Sequence, residues 1–155
     1  MGAVRSFFVI LAIGLAGCST NIERHGAVPA VVSNGVNVTA METTLQSPKF
    51  PPAIAGQLEA ALRQELAKHR SGPTPVTLKI LVTEFDVRSE GERVGGVFVG
   101  DNAMNVHVDV LDAQGNVVDS FEVKRSSNPG GYGMFYDQKA ATIKATAEGI
   151  ADALY

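Results

Sequence analysis

The stretch MNVHVDVLDAQGNVVDSFEV, residues 104–123, decides the fold. Met104, Val106, Val108 and Val110 alternate with Asn105, His107 and Asp109, so a strand built here has one apolar and one polar face. DAQGN at 112–116 supplies turn residues, and Val117, Phe121 and Val123 bring the apolar face back on the return strand. An antiparallel hairpin of this pattern leaves one face in water and must bury the other beneath helices.

Two helices with suitable stripes lie on either side. Downstream, Ile143, Ala147, Ile150, Ala151 and Leu154 recur at helical spacing between about residues 138 and 154, with Asp137 placed as an N-cap. Upstream, Ile54, Leu58, Ala61, Leu62 and Leu66 form a stripe between about residues 52 and 69, opened by prolines and followed by Gly72. Glu59 and Arg63 stand four apart on its wet side.

Between this helix and the hairpin, PVTLKILVTEFDV at 75–87 alternates Val76, Leu78, Ile80 and Val82, then changes phase to Phe85 and Val87. A phase change within a strand predicts a bulge near Thr83 and Glu84. VNVTAMETTL at 36–45 reads as a first strand with Val36, Val38 and Ala40 on one side and Asn37, Thr39 and Met41 on the other. The order β-α-β-β-β-α predicts an α+β two-layer sandwich: a mixed sheet of about four strands with two helices on one face, forming a single domain over residues 36–155. The first crossover is right-handed if its strands are parallel. This arrangement resembles groups of small, mostly uncharacterised bacterial envelope lipoproteins in architecture alone, which implies little about activity.

The amino terminus is of a different kind. Arg5 precedes an apolar run from Phe7 to Ala16, then LAGCST at 15–20 contains the one cysteine of the chain. The run is shorter than the roughly twenty residues a spanning helix needs, and its anatomy is that of an export signal. Leu15, Ala16, Gly17 and Cys18 resemble the lipobox of bacterial lipoproteins. The resemblance implies a signal peptide over 1–17, cleavage between Gly17 and Cys18, and diacylglycerol joined to the Cys18 thiol, so that the membrane is a partner through that lipid. It also implies sorting: with Ser19 rather than aspartate after the cysteine, the expected place is the periplasmic face of the outer membrane. Residues 18–35, mixed in polarity and holding Pro29, read as the lipidated cysteine and a tether, although Val31 and Val32 could begin a strand. Fully extended, residues 19–35 reach about 55 Å.

Composition narrows the function. The formal charge is −3, and −4 once Arg5 leaves with the signal peptide, which gives no basic face for nucleic acid. His25, His69 and His107 are too far apart in sequence for metal-ligand spacing, so no metal and no cofactor are expected. GERVGGVFVG at 91–100 is glycine-rich but carries neither a dinucleotide pattern nor a phosphate-binding lysine. Two surfaces remain. SSNPGGYGMFYD at 126–137 sets Tyr132, Phe135 and Tyr136 among glycines, where they either close the end of the core or anchor a protein partner. Asn105, His107 and Asp109 share the polar hairpin face and offer either a solvated surface or a small-ligand or catalytic site. No catalytic motif surrounds them, and the reading is a non-catalytic, partner-binding envelope lipoprotein, with a periplasmic ligand binder or enzyme using His107 as the alternative.

Overall fold

The computed structural model describes residues 19–24, 26–87, 102–127 and 137–155. Its elements run β1 (Ser19–Arg24), α1 (Ala30–Ser33), β2 (Val36–Leu45), α2 (Ala53–Leu66), β3 (Thr74–Asp86), β4 (Asn102–Leu111), β5 (Val117–Ser127) and α3 (Gln138–Leu154). The strands form one five-stranded sheet in the order β1-β5-β4-β3-β2. β2 and β3 are parallel, joined through α2, and the other neighbours are antiparallel. Helices α2 and α3 cover one face, making the two-layer α+β sandwich that the hairpin pattern requires.

The core is where the two periodicities meet. Ile54, Leu58 and Leu62 of α2 and Ile143, Ala147 and Ile150 of α3 are buried against Leu78, Ile80, Val106, Val108, Phe121 and Val123 of the sheet. Ala61 and Leu66 of the α2 stripe are half-buried at its margin. The Asp137 carboxylate accepts the Ala140 amide at 3.0 Å and so caps α3 as its position predicts. The phase change in β3 is a bulge at Thr83, where the register steps from Val82 opposite Val106 to Glu84 opposite Asn105. Thr83 Oγ1 donates to the Asn105 carbonyl at 3.2 Å.

The turn is held by one carboxylate. Asp112 Oδ1 accepts the amides of Gln114 (2.9 Å) and Asn116 (2.8 Å), and Asn116 Nδ2 donates to Oδ2 at 3.1 Å. These bonds, the Asn116 side chain first, hold the Asp112 carboxyl below the usual range.

Three expectations are corrected. First, residues 19–24 are no tether: β1 pairs with β5 over its whole length, from Ser19 opposite Ser126 to Arg24 opposite Phe121, which makes the sheet five-stranded rather than four. Val31 and Val32 lie in the short helix α1, with Val32 buried, and do not start a strand. Second, β2 has its own bulge, with Val38 opposite Val76 and Ala40 opposite Thr77, so Thr39 is the extra residue. The slip turns Met41 and Leu45 toward the core and leaves Ala40 exposed. Third, a register shift between Val110 and Leu111 leaves Val117 exposed, while Val118 packs against the core.

What fastens β1 is a buried ion pair. Arg24 lies on the core side of the strand, its guanidinium 5.1 Å from the Phe121 ring centroid. Its Nη2 meets Asp119 Oδ2 at 2.9 Å and the Ala153 carbonyl at 2.7 Å, near the carboxyl end of α3, where a cation is favoured. Closer to the strand's start, Gly149 lets α3 approach: a Cβ there would fall 2.7 Å from Thr20 Cγ2 and 2.8 Å from Val123 Cγ1.

Candidate functional site

The uncovered face of the sheet carries alternate residues of every strand, and their register builds its chemistry. His107 in the middle of β4 stands between Leu81 of β3 and Glu122 of β5, and Asp109 stands between Lys79 and Ser120. Asn105 faces Lys124, which in turn faces Asn21 of β1. Glu42, Thr44, Lys79, Leu81, His107 and Asp109 line an open depression of about 290 Å³.

His107 Nε2 lies 3.2 Å from Asp109 Oδ1 and 3.2 Å from Ser120 Oγ. A serine, a histidine and an aspartate thus come together, but both partners sit on the same ring nitrogen. A nucleophilic relay needs the carboxylate on one nitrogen and the hydroxyl on the other, so that the imidazole accepts the hydroxyl proton while the carboxylate holds the opposite N–H. The arrangement of Asp109, His107 and Ser120 is therefore not that relay. Asn105, expected beside it, instead donates its Nδ2 to Glu84 Oε2.

Further along, Lys124 Nζ binds Glu23 and, at 3.2 Å, Glu122. Hydrogen bonds to Glu23 and then Glu122 hold its ammonium above the usual lysine range. The face is therefore a field of paired charges at half-exposed positions, suited to hydrogen bonding over a broad area. Among the described residues no three side chains of metal-ligating type cluster. No described helix is long and apolar enough to cross a membrane.

The structure brings His107 and Asp109 together as the alternation predicts. Glu23, Ser120, Glu122 and Lys124 are additional members of the face. The hairpin pairing carries a signal for the last three, but the shift beside the turn hides their register. Gly17, Cys18, Tyr132, Phe135 and Tyr136 lie outside the described residues, as do His25 and the glycine-rich 91–100 segment.

Fold and face together define a class: a small α+β sandwich with helices over one side of a mixed five-stranded sheet and an open polar surface on the other. The chain belongs to the DUF4410 family, described as a domain of unknown function, whose profile matches residues 22–131. No curated protein matches it in sequence. Among solved structures it is similar to the PelC dodecamer of Paraburkholderia phytofirmans, with 13% identity over 86% of this chain and 98% of that one at a TM-score of 0.55. A form of the same PelC dodecamer with a single leucine-to-methionine substitution aligns with 15% identity over the same shares at a TM-score of 0.51. A minor lipoprotein of Acinetobacter baumannii aligns with 14% identity over 73% of this chain and 89% of that one, at a TM-score of 0.31. At these identities the PelC likeness is one of fold.

Proposed function

We propose that this chain is a lipid-anchored lipoprotein of the cell envelope that binds a protein partner and has no catalysis of its own. The observation that carries the reading is the lipobox-like Leu15-Ala16-Gly17-Cys18 placed directly before Ser19, the first described residue of the sheet. Two or three acyl chains, at about 0.8 kcal/mol per buried methylene, hold a protein to a bilayer for practical purposes permanently. Ser19 after the cysteine favours the outer membrane, periplasmic face, and co-fractionation with inner-membrane markers alone counts against that placement.

Partner binding is supported by two features. One is the broad face of paired charges around His107. The other is the aromatic segment with Tyr132, Phe135 and Tyr136, whose truncation would cost about 2 kcal/mol each if they anchor a partner. Further copies of this chain are the first partner to test, because PelC, of similar fold, is described as a dodecamer. In-cell crosslinking followed by purification of the acylated protein tests the reading. Crosslinks that weaken at least tenfold in Tyr132→Ala support the segment as anchor, and crosslinks lost only in His107→Ala move the contact to the sheet face. A chain that crosslinks to nothing contradicts partner binding.

A further inference from the structure

The fold sets the anchor at one end of the sheet. β1 begins at Ser19, so one peptide unit, about 3.8 Å between Cα atoms, separates Cys18 from a residue already paired with Ser126. β1 cannot act as slack, because Arg24 is held by Asp119 and by the Ala153 carbonyl, and Thr20 is wedged against Gly149. The antiparallel pairing then places the other strand ends. Ser126 and Ala103 are opposite one another, and Ala103 is opposite Asp86, so β3, β4 and β5 all reach the end where β1 starts. β2, parallel to β3, runs toward the same end but stops short of it, with Leu45 opposite Val82. The helices start toward this end as well: Asn102 Nδ2 donates to Gln138 Oε1 in the first turn of α3 at 2.9 Å, and α2 begins at Ala53, after β2 has run toward this end as far as Leu45.

We propose that this end of the sandwich, with Ser19, Asp86, Ala103 and Ser126 at its rim, rests on the bilayer that holds the Cys18 lipid. The strands stand away from the membrane, and the Asp112–Asn116 turn is the part of the described domain carried outward. β4 alone spans about 30 Å from Asn102 to Leu111 at ~3.3 Å per residue. The occupant of this surface is lipid because the acylated residue adjoins it without a linker. The polar sheet face and both helices then project sideways, free to meet proteins. This orientation rests on the lipidation proposed above.

The test uses the mature acylated protein in vesicles of phosphatidylcholine and phosphatidylglycerol containing a headgroup nitroxide quencher. The one native cysteine carries the lipid, so a single introduced cysteine can take a fluorophore without ambiguity. Labels go on Asp86→Cys and Ser126→Cys at the rim and on Gln114→Cys in the turn, all at exposed or half-exposed sites that spare the core. Quenching at 86 and 126 is expected to exceed that at 114 at least about threefold, given their ~30 Å separation along the strands. A flexible Gly-Ser segment of about twelve residues inserted after Cys18, with a reach near 20 Å, should bring the rim sites down to the level of 114. Vesicle-bound protein quenched equally at all three sites, or most strongly at 114, overturns the orientation and leaves the lipid reading standing. Protein that lacks lipid mass and stays off the vesicles overturns both.

Discussion

Arg24 and Asp119, 95 positions apart in the chain, form a two-pronged ion pair: Arg24 Nε lies 3.1 Å and Nη2 2.9 Å from Asp119 Oδ2. Their side chains are 13% and 4% exposed. Asp119 Oδ1 also accepts the Ser120 amide at 2.9 Å, so the carboxylate is fixed from two sides. Removing one member of such a pair leaves the other buried and uncompensated. Arg24→Ala and Asp119→Ala should each destabilise the domain by about 3 kcal/mol or more. Denaturant melts of residues 19–155 measure it, and losses under about 1 kcal/mol would show that β1 is not held there.

Gly149 and Gly56 are both helical glycines, but only Gly149 is crowded. Gly149→Ala would press on Thr20 and Val123, and overpacking of this kind costs about 1–3 kcal/mol. At exposed Gly56 a Cβ meets nothing within 4 Å, so Gly56→Ala should stabilise α2 by about 0.5–1 kcal/mol. Thermal shifts of the same sign for the two variants would contradict the close approach of α3 to β1.

Strand β1 is hidden from sequence reading for a physical reason. Its core side carries Thr20, Ile22 and Arg24, only one of them apolar, so no alternation betrays it, and Arg24 is buried through a partner that lies far away in sequence. The β3 bulge is legible because Val82 and Phe85 are both large and out of phase, whereas the β2 slip is not, because Ala40 and Met41 both read as apolar. The hairpin and both long helices are legible because each repeats its period over several turns or residue pairs. At the polar face, alternation is enough to group His107 with Asp109. Ser120 enters only through cross-strand register, which depends on where the turn adds its extra residue.

The orientation of α2 makes a direct contrast. Leu58 is wholly buried, whereas the Arg63 side chain is largely in water and reaches Glu59 at 3.5 Å. Leu58→Ala should cost about 2–5 kcal/mol and Arg63→Ala under about 1 kcal/mol. Equal melting shifts would place the helix stripe wrongly.

Acid should loosen the hairpin turn. Because the folded-state pKa of Asp112 is lowered, its carboxylate contributes stability above the unfolded value of about 3.9, and that contribution is lost as pH falls through the folded value. Asp112→Ala should flatten the acid limb of the stability curve while leaving the slope between pH 6 and pH 8 unchanged, as ordinary carboxylates stay ionised there. Identical acid limbs for the two proteins would mean that the Asn116 and Gln114 bonds do not bias its titration.

The proposed lipid on Cys18 underlies both the proposed envelope placement and the proposed orientation of the domain, and it is tested most directly by labelled fatty acid incorporation into the wild-type chain and Cys18→Ser. A hydroxyl is a far poorer nucleophile than a thiolate, so the wild type is expected to carry label, run at the processed mass and pellet with membranes, while Cys18→Ser remains an unlabelled precursor. Equal labelling of the two chains, or a processed wild type with no label at all, would contradict the account.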